Sequence, residues 1–379
     1  MADERKVGQN GAMGLPMVDS TLGRGILRVG ARSKDSIIDT FFRGPRQDLS
    51  HLFTLHDEVS ATQRRLVRSY PGVLPMPLRE DPLYYDGSQF YMRLAAETLR
   101  DRGRDSLLTK DQHTWVISTM GVSDWWMDES GKTADGRRDY GPAIEAFDGI
   151  NAICYSYLRP DPARDPITSS NPEIQRLIDY HAHVLDQVPE EHRPSIARSL
   201  FATNLYQSVS LYQERGYREY MGLGDIENTT ANKSMLERMQ IEKGGFMFTY
   251  FWPYFPDIVN GITIPDEPPT IESTLQSFLN GNSFYPTDGL GRFILEMGGA
   301  NQLLNDIADA KKDLANGVSS PQNLGVVYVA GSDSMVERVF ERLDALRGPD
   351  DSNDFNLVLD AGDNALSGAT IYRANKKKL

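Results

Sequence analysis

Apolar residues along this chain recur mostly at intervals of three and four, the period of a helix that buries one face. The segment Pro194 to Tyr220 shows this well. Ile196, Leu200, Phe201, Leu205, Val209 and Tyr212 form a stripe opposite Arg198, Gln207 and Glu214. Phe293, Met297, Ala300, Leu304 and Ala308 form another, at steps of four, three, four and four. From Gln89 onward the pattern is helical between proline and glycine breaks, and further helices are expected over Val336 to Leu346 and Phe355 to Ile371. Arg68 to Pro82, interrupted by Pro71, Pro75, Pro77 and Pro82, reads as extended surface chain. Val326 to Val329 is the best strand candidate, and it is short. Residues 1–45 sustain no apolar period and read as a weakly ordered arm, followed by one helical domain over 46–379. The expected fold class is all-α.

Composition narrows the function. Acidic residues outnumber basic ones by 53 to 40 in 379 residues, and the net charge of -13 argues against a nucleic-acid partner. Cys154 is the single cysteine, so no internal disulfide can form and a reducing cytoplasmic setting is expected. Met1 to Gly14 lacks the apolar stretch of a secretory signal. No run approaches the ~18 apolar residues of a membrane span, and Phe246 to Phe255 is cut by Pro253. The six histidines contain no i, i+4 pair, and His181 and His183 fall on different helix faces, so a zinc site is not expected. Glu-x-x-His pairs are absent, which argues against a di-iron bundle.

Two segments concentrate acid on one helix face. In Trp115 to Glu129, Asp124 and Asp128 stand four apart, where like charges oppose the helix by a few tenths of a kcal/mol unless a cation sits between them. In Asn301 to Asp313, the residues Asn305, Asp309 and Asp313 form a ladder of oxygen donors at i, i+4 and i+8, with Lys312 beside it. Oxygen-only ligands suit a hard cation such as Mg²⁺, which keeps several waters and shares a substrate phosphate.

Together these segments resemble the class I terpene cyclases, in particular the bacterial single-domain type. That family has an aspartate-rich DDxxD motif on one helix and an NDxx(S/T)xx(K/R)E motif on a facing one. The second reads here Asn305-Asp306-Ile307-Ala308-Asp309-Ala310-Lys311-Lys312-Asp313, with Asp309 in the Ser/Thr position and Asp313 in the Glu position. The first reads Asp124-Trp125-Trp126-Met127-Asp128, with Trp125 replacing the middle aspartate and Glu129 a candidate stand-in. Arg238, upstream of Gly244-Gly245, corresponds to the family's diphosphate-sensing arginine. The long interval from Arg238 to Asn305 is expected to hold a proline-rich loop, Ile264 to Asp288. Tyr372-Arg373 corresponds, in reversed order, to a carboxyl-terminal Arg-Tyr pair that binds diphosphate.

The resemblance implies a helical bundle around a central apolar cavity, and three Mg²⁺ ions bound with diphosphate. Asp124, Asp128, Asn305, Asp309 and Asp313 would be the metal ligands. Arg238, Lys312, Tyr372 and Arg373 would bind the diphosphate of a prenyl substrate. A C20 substrate, linear or bicyclic such as copalyl diphosphate, is favoured over C15, and a homodimer would be usual for the family. Aromatic faces can stabilise a carbocation, so Phe248, Trp252 and the neighbours Phe246, Tyr250, Phe251, Tyr254 and Phe255 are candidate wall residues, with Trp115, Trp125, Phe147, Phe201 and Tyr206 from elsewhere. Gly244-Gly245 and Pro253 predict a helix break. Two alternatives remain: a prenyl chain-elongation synthase, whose second motif would be another DDxxD, and a non-catalytic helical protein with solvated acidic faces.

Overall fold

The computed structural model describes residues 49–70, 72–75, 86–131, 139–161, 166–219, 238, 241–315, 345–346 and 353–376. All regular structure among them is helical: α1 Leu49–Ser69, α2 Asp86–Asp101, α3 Lys110–Glu129, α4 Gly141–Leu158, α5 Pro172–Asp186, α6 Arg193–Glu219, α7 Met247–Phe251, α8 Ile271–Leu279, α9 Gly289–Ala315 and α10 Asp354–Lys376. A 3-10 turn, Lys243–Phe246, leads into α7. The all-α expectation holds. The arm 1–45 and the strand candidate Val326 to Val329 lie outside the described residues, as does 336–344 of the penultimate helix.

Local sequence explains where helices begin. Thr109 caps α3 by accepting from Gln112 N, while the Gln112 side chain accepts from Thr109 N at 2.9 Å. Asn171 accepts from Glu173 N at 3.0 Å, and Pro172 occupies the first turn of α5. The same chemistry corrects one expectation. Ile264 to Asp288 is not all loop: Thr270 and Ser273 form a capping box that starts α8. Four prolines obscured that nine-residue helix. Asn151 and Tyr155 of α4 donate to the carbonyls of Pro269 and Asp266, so the segment before α8 is tied down. Arg68 to Pro82 also starts differently than expected, because α1 continues to Ser69.

Helix α6 is the centre of the array, packed by α3, α4, α5, α7, α8 and the 3-10 turn. Ile196, Leu200, Phe201, Leu205 and Val209 of its apolar stripe are buried as the periodicity requires, but so are Ser199, Thr203, Asn204, Gln207 and Ser208. Gln207, placed on the polar face by pattern, is therefore interior. A helix surrounded by other helices has no solvent face, and its polar groups must find partners among them. Phe293, Met297 and Ala300 of α9 are buried as expected. None of the described helices is long and apolar enough to cross a membrane.

The break at Gly244-Gly245 is set by close packing. A Cβ on Gly244 would overlap the Leu295 carbonyl oxygen and the Gly299 nitrogen, and one on Gly298 would overlap Gly244 in return. The turn and α9 thus meet backbone to backbone, which only glycine permits.

Candidate functional site

Asp124 lies in the last part of α3, on the side toward α6. Gln207 Nε2 donates to its Oδ1 at 3.1 Å. No described hydrogen bond reaches Oδ2. The carboxylate is exposed by surface area, yet desolvation is the largest influence on it and raises its pKa, against the Gln207 hydrogen bond and the charge of Lys243. Both observations fit a carboxylate with one side reachable by solvent and protein packed around the rest. Lys243 itself is buried at the start of the 3-10 turn.

Immediately beside Gln207, Tyr206 donates its hydroxyl to Gln302 Oε1 of α9 at 3.4 Å. Gln302 precedes Asn305 by three residues, roughly 4.5 Å along the helix axis. Asn301, one residue earlier, donates to the Tyr91 hydroxyl of α2 at 3.3 Å. Two neighbouring residues of α6 therefore link the helix of the first acidic cluster to the helix of the second. The side chains of Asp128, Asn305, Asp309, Lys312, Asp313, Tyr372 and Arg373 lie outside the described residues; what is placed is their helices, α3, α9 and α10.

An aromatic row runs between these anchors. Tyr206 and Phe246 have ring centroids 5.3 Å apart, Phe246 and Tyr250 are 6.0 Å apart, and Tyr250 and Tyr91 are 5.5 Å apart. Phe248 and Trp252 belong to the closed interior instead. Both are fully buried, and Phe248 stacks on Tyr285 at 6.0 Å with an interplanar angle of 8°. Phe147, Phe201 and Phe251 are likewise packed core. Trp125 is half-buried against the core beside Trp126, with centroids 6.2 Å apart.

Arg238 donates to the Phe278 carbonyl at the end of α8, and its guanidinium carbon sits 4.1 Å above the Phe278 ring. Its buried Nε has no hydrogen-bond partner among the described residues, so one charged donor remains unused. Next to it, Glu242 is buried with Glu296 close by. Desolvation raises Glu242 to about 7, opposed by a Ser283 hydrogen bond and by Arg292 and Arg238. Arg292 donates from Nε to Glu296 Oε1 at 2.8 Å.

His181 is a buried, hydrogen-bonded histidine of α5. His181 donates from Nδ1 to the Leu177 carbonyl at 2.7 Å, with Ser123 Oγ 3.2 Å from its Nε2. Burial lowers its pKa to about 4. Cys154 is fully buried, and burial pushes its thiol up to about 12. A separate surface groove of about 390 Å³ is bordered by Tyr254, Phe255, Asp257, Asp288 and an Arg104–Asp354 ion pair, and Asp124 is not part of its lining.

Asp124 suits a metal ligand on three counts: it is accessible, one oxygen is uncommitted, and its neighbour Gln207 orients the other. The described residues alone hold no group of three His, Cys, Asp or Glu able to bind a metal. Sequence reasoning did not single out Gln207 and Lys243. Polar residues in a helical segment signal solvent by default, and only the packing of α6 and the turn reverses that. No protein-family model, curated protein or solved structure matches this chain.

Proposed function

We propose that this chain is a Mg²⁺-dependent class I terpene cyclase that ionises a prenyl diphosphate and cyclises the resulting carbocation. The observation that carries the reading is the meeting of Asp124, through Gln207 and Tyr206, with α9 one turn before Asn305. Two acidic helices converge on one stretch of a third, as the reaction needs and as scattered solvated faces would not require.

In this reading Asp124 and Asp128 from one side, and Asn305, Asp309 and Asp313 from the other, hold Mg²⁺, which supplies Lewis-acid neutralisation of the departing diphosphate. Lys312, Arg373 with Tyr372, and Arg238 through its uncommitted Nε add charged hydrogen bonds to the leaving group. Gln207 fixes the rotamer of Asp124. Tyr206, Phe246, Tyr250 and Tyr91 present π faces where the chain of the substrate would extend. Phe248, Trp252 and Phe201 back that wall rather than line it.

Product analysis by gas chromatography–mass spectrometry tests this. Farnesyl, geranylgeranyl and copalyl diphosphates are supplied separately, with Mg²⁺ or with chelator, beside an Asp124→Ala control. The expected result is a cyclic hydrocarbon or alcohol from one substrate, absent with chelator and reduced at least about 100-fold in the control. Elongated products on adding isopentenyl diphosphate would move the assignment to a chain-elongation synthase. No turnover and no diphosphate binding would leave a helical protein without this chemistry.

A further inference from the structure

We propose that Tyr91 and Tyr206 are positioning residues whose hydroxyls clamp α9 between α2 and α6. The clamp sets the rotation at which the helix of Asn305, Asp309 and Asp313 faces Asp124. This rests on the cyclase reading above and gives the two hydroxyls a role apart from the π faces of their rings. Tyr91 accepts from Asn301 Nδ2 of α9 at 3.3 Å and donates to the Gly362 carbonyl of α10 at 3.4 Å. Tyr206 donates to Gln302 Oε1 at 3.4 Å, and the next residue of α6, Gln207, holds Asp124.

Asn301 and Gln302 are consecutive, so the two contacts leave α9 in directions about 100° apart. One lateral contact lets a helix roll about it, and two in different directions do not. Counted around the axis from Asn301, position 305 stands at about 40° and position 309 at about 80°. Both fall within the arc that the two tyrosines bound, and position 313, at about 120°, falls just beyond it. Helix α9 runs unbroken from Gly289 to Ala315, so the phase set at Asn301 and Gln302 carries through these positions. Gly298, seven residues before Asn305 and near the same direction, is where the backbone of α9 meets Gly244. The glycine contact holds the helix below the ladder, and the hydroxyls hold it at the ladder's foot.

Rotation matters because a metal shared between helices tolerates little of it. A roll of about 15° carries a carboxylate some 1.5 Å at the ~6 Å radius of helix side chains. Mg²⁺ holds its oxygens near about 2.1 Å in almost ideal octahedral geometry. The two tyrosine rings are also the ends of the aromatic row. Phenylalanine at either position therefore keeps the wall and removes only the clamp.

The test measures the Mg²⁺ concentration giving half of the thermal stabilisation seen with inorganic diphosphate present. Full-length wild type is compared with Tyr91→Phe, Tyr206→Phe and Gln302→Leu. Diphosphate chelates Mg²⁺ by itself, so the reading is the difference between variants. Each variant is expected to need about fivefold more Mg²⁺, the worth of one hydrogen bond, with KM for the prenyl diphosphate unchanged at saturating Mg²⁺. Tyr206→Phe combined with Gln302→Leu should shift no further than either alone, since both remove the same bond. If Tyr206→Phe does not fold, Gln302→Leu reads that bond from α9. Wild-type Mg²⁺ midpoints in the variants overturn the proposal, even if the ligand-free melting temperature falls, and the cyclase reading then stands on the wild-type stabilisation. Independent shifts in the Tyr206 and Gln302 pair also overturn it. If Mg²⁺ with diphosphate does not stabilise wild type at all, the cyclase reading falls and the clamp with it.

Discussion

Glu242 and Asp124 are two carboxylates whose polar surroundings are completed in different ways. Glu242 belongs to a closed cluster, in which Ser283, Arg238, Arg292 and Glu296 surround the carboxyl and solvent is excluded. Asp124 is open: its carboxylate is accessible and held by the Gln207 amide. The closed cluster joins the residue before the turn to α9 and to the α8–α9 connection, with Arg292 paired to Glu296. Asp124 keeps one oxygen that no described hydrogen bond reaches, although desolvation is the largest influence on it. Buried charge that is closed on itself builds a fold, while charge left facing open space is the better candidate for chemistry.

The largest effect should come from the turn that follows Glu242. Gly244→Ala places a Cβ into the backbone of α9 and should destabilise by at least about 3 kcal/mol, measured by urea unfolding. A loss below 1 kcal/mol would mean that the turn, and the closed cluster with it, can withdraw from α9.

The closed cluster has a pH signature. Glu242 titrates at about 7 when folded, against an ordinary value of 4.5, so the folded state binds the extra proton between those limits. Its contribution is fully present below pH 4.5 and is lost as pH rises to 7, about 3 kcal/mol in all. Glu242→Gln should remove that slope and be more stable than wild type above pH 7, read from unfolding curves at several pH values. An unchanged slope would place the titration on another group.

The smallest effect sharpens the contrast within α3. Ser123 adjoins Asp124 but turns to His181 and the Thr119 carbonyl, in the closed interior. Ser123→Ala should cost about 1 kcal/mol in unfolding and leave Mg²⁺-with-diphosphate stabilisation unchanged. A change in that stabilisation would extend the open site around the helix.

Much of the scaffold was legible from the chain. The period of three and four in Pro194 to Tyr220 matches α6, and Phe355 to Ile371 lies within α10. Gly244-Gly245 predicted the break before α7. Helix α8 was hidden by its prolines, although Thr270 and Ser273 carried its capping signal. Asp124 was legible as a candidate because paired acids at i, i+4 are costly without a cation. Its partner was not. Gln207 sits opposite an apolar stripe, a pattern that ordinarily means solvent.

The sequence by itself determined the helical class, the boundaries set by caps and glycines, and which helices carry acid, because these depend on residues within a few positions of one another. Tertiary structure decided that Ser199, Thr203, Asn204, Gln207 and Ser208 of α6 would be buried, and that Asp124 and the helix of Asn305 would both be reached from Gln207 and Tyr206. Those outcomes depend on which helices pack against which, and hydrophobic periodicity, which marks the face a helix buries, carries no record of the neighbour it is buried against.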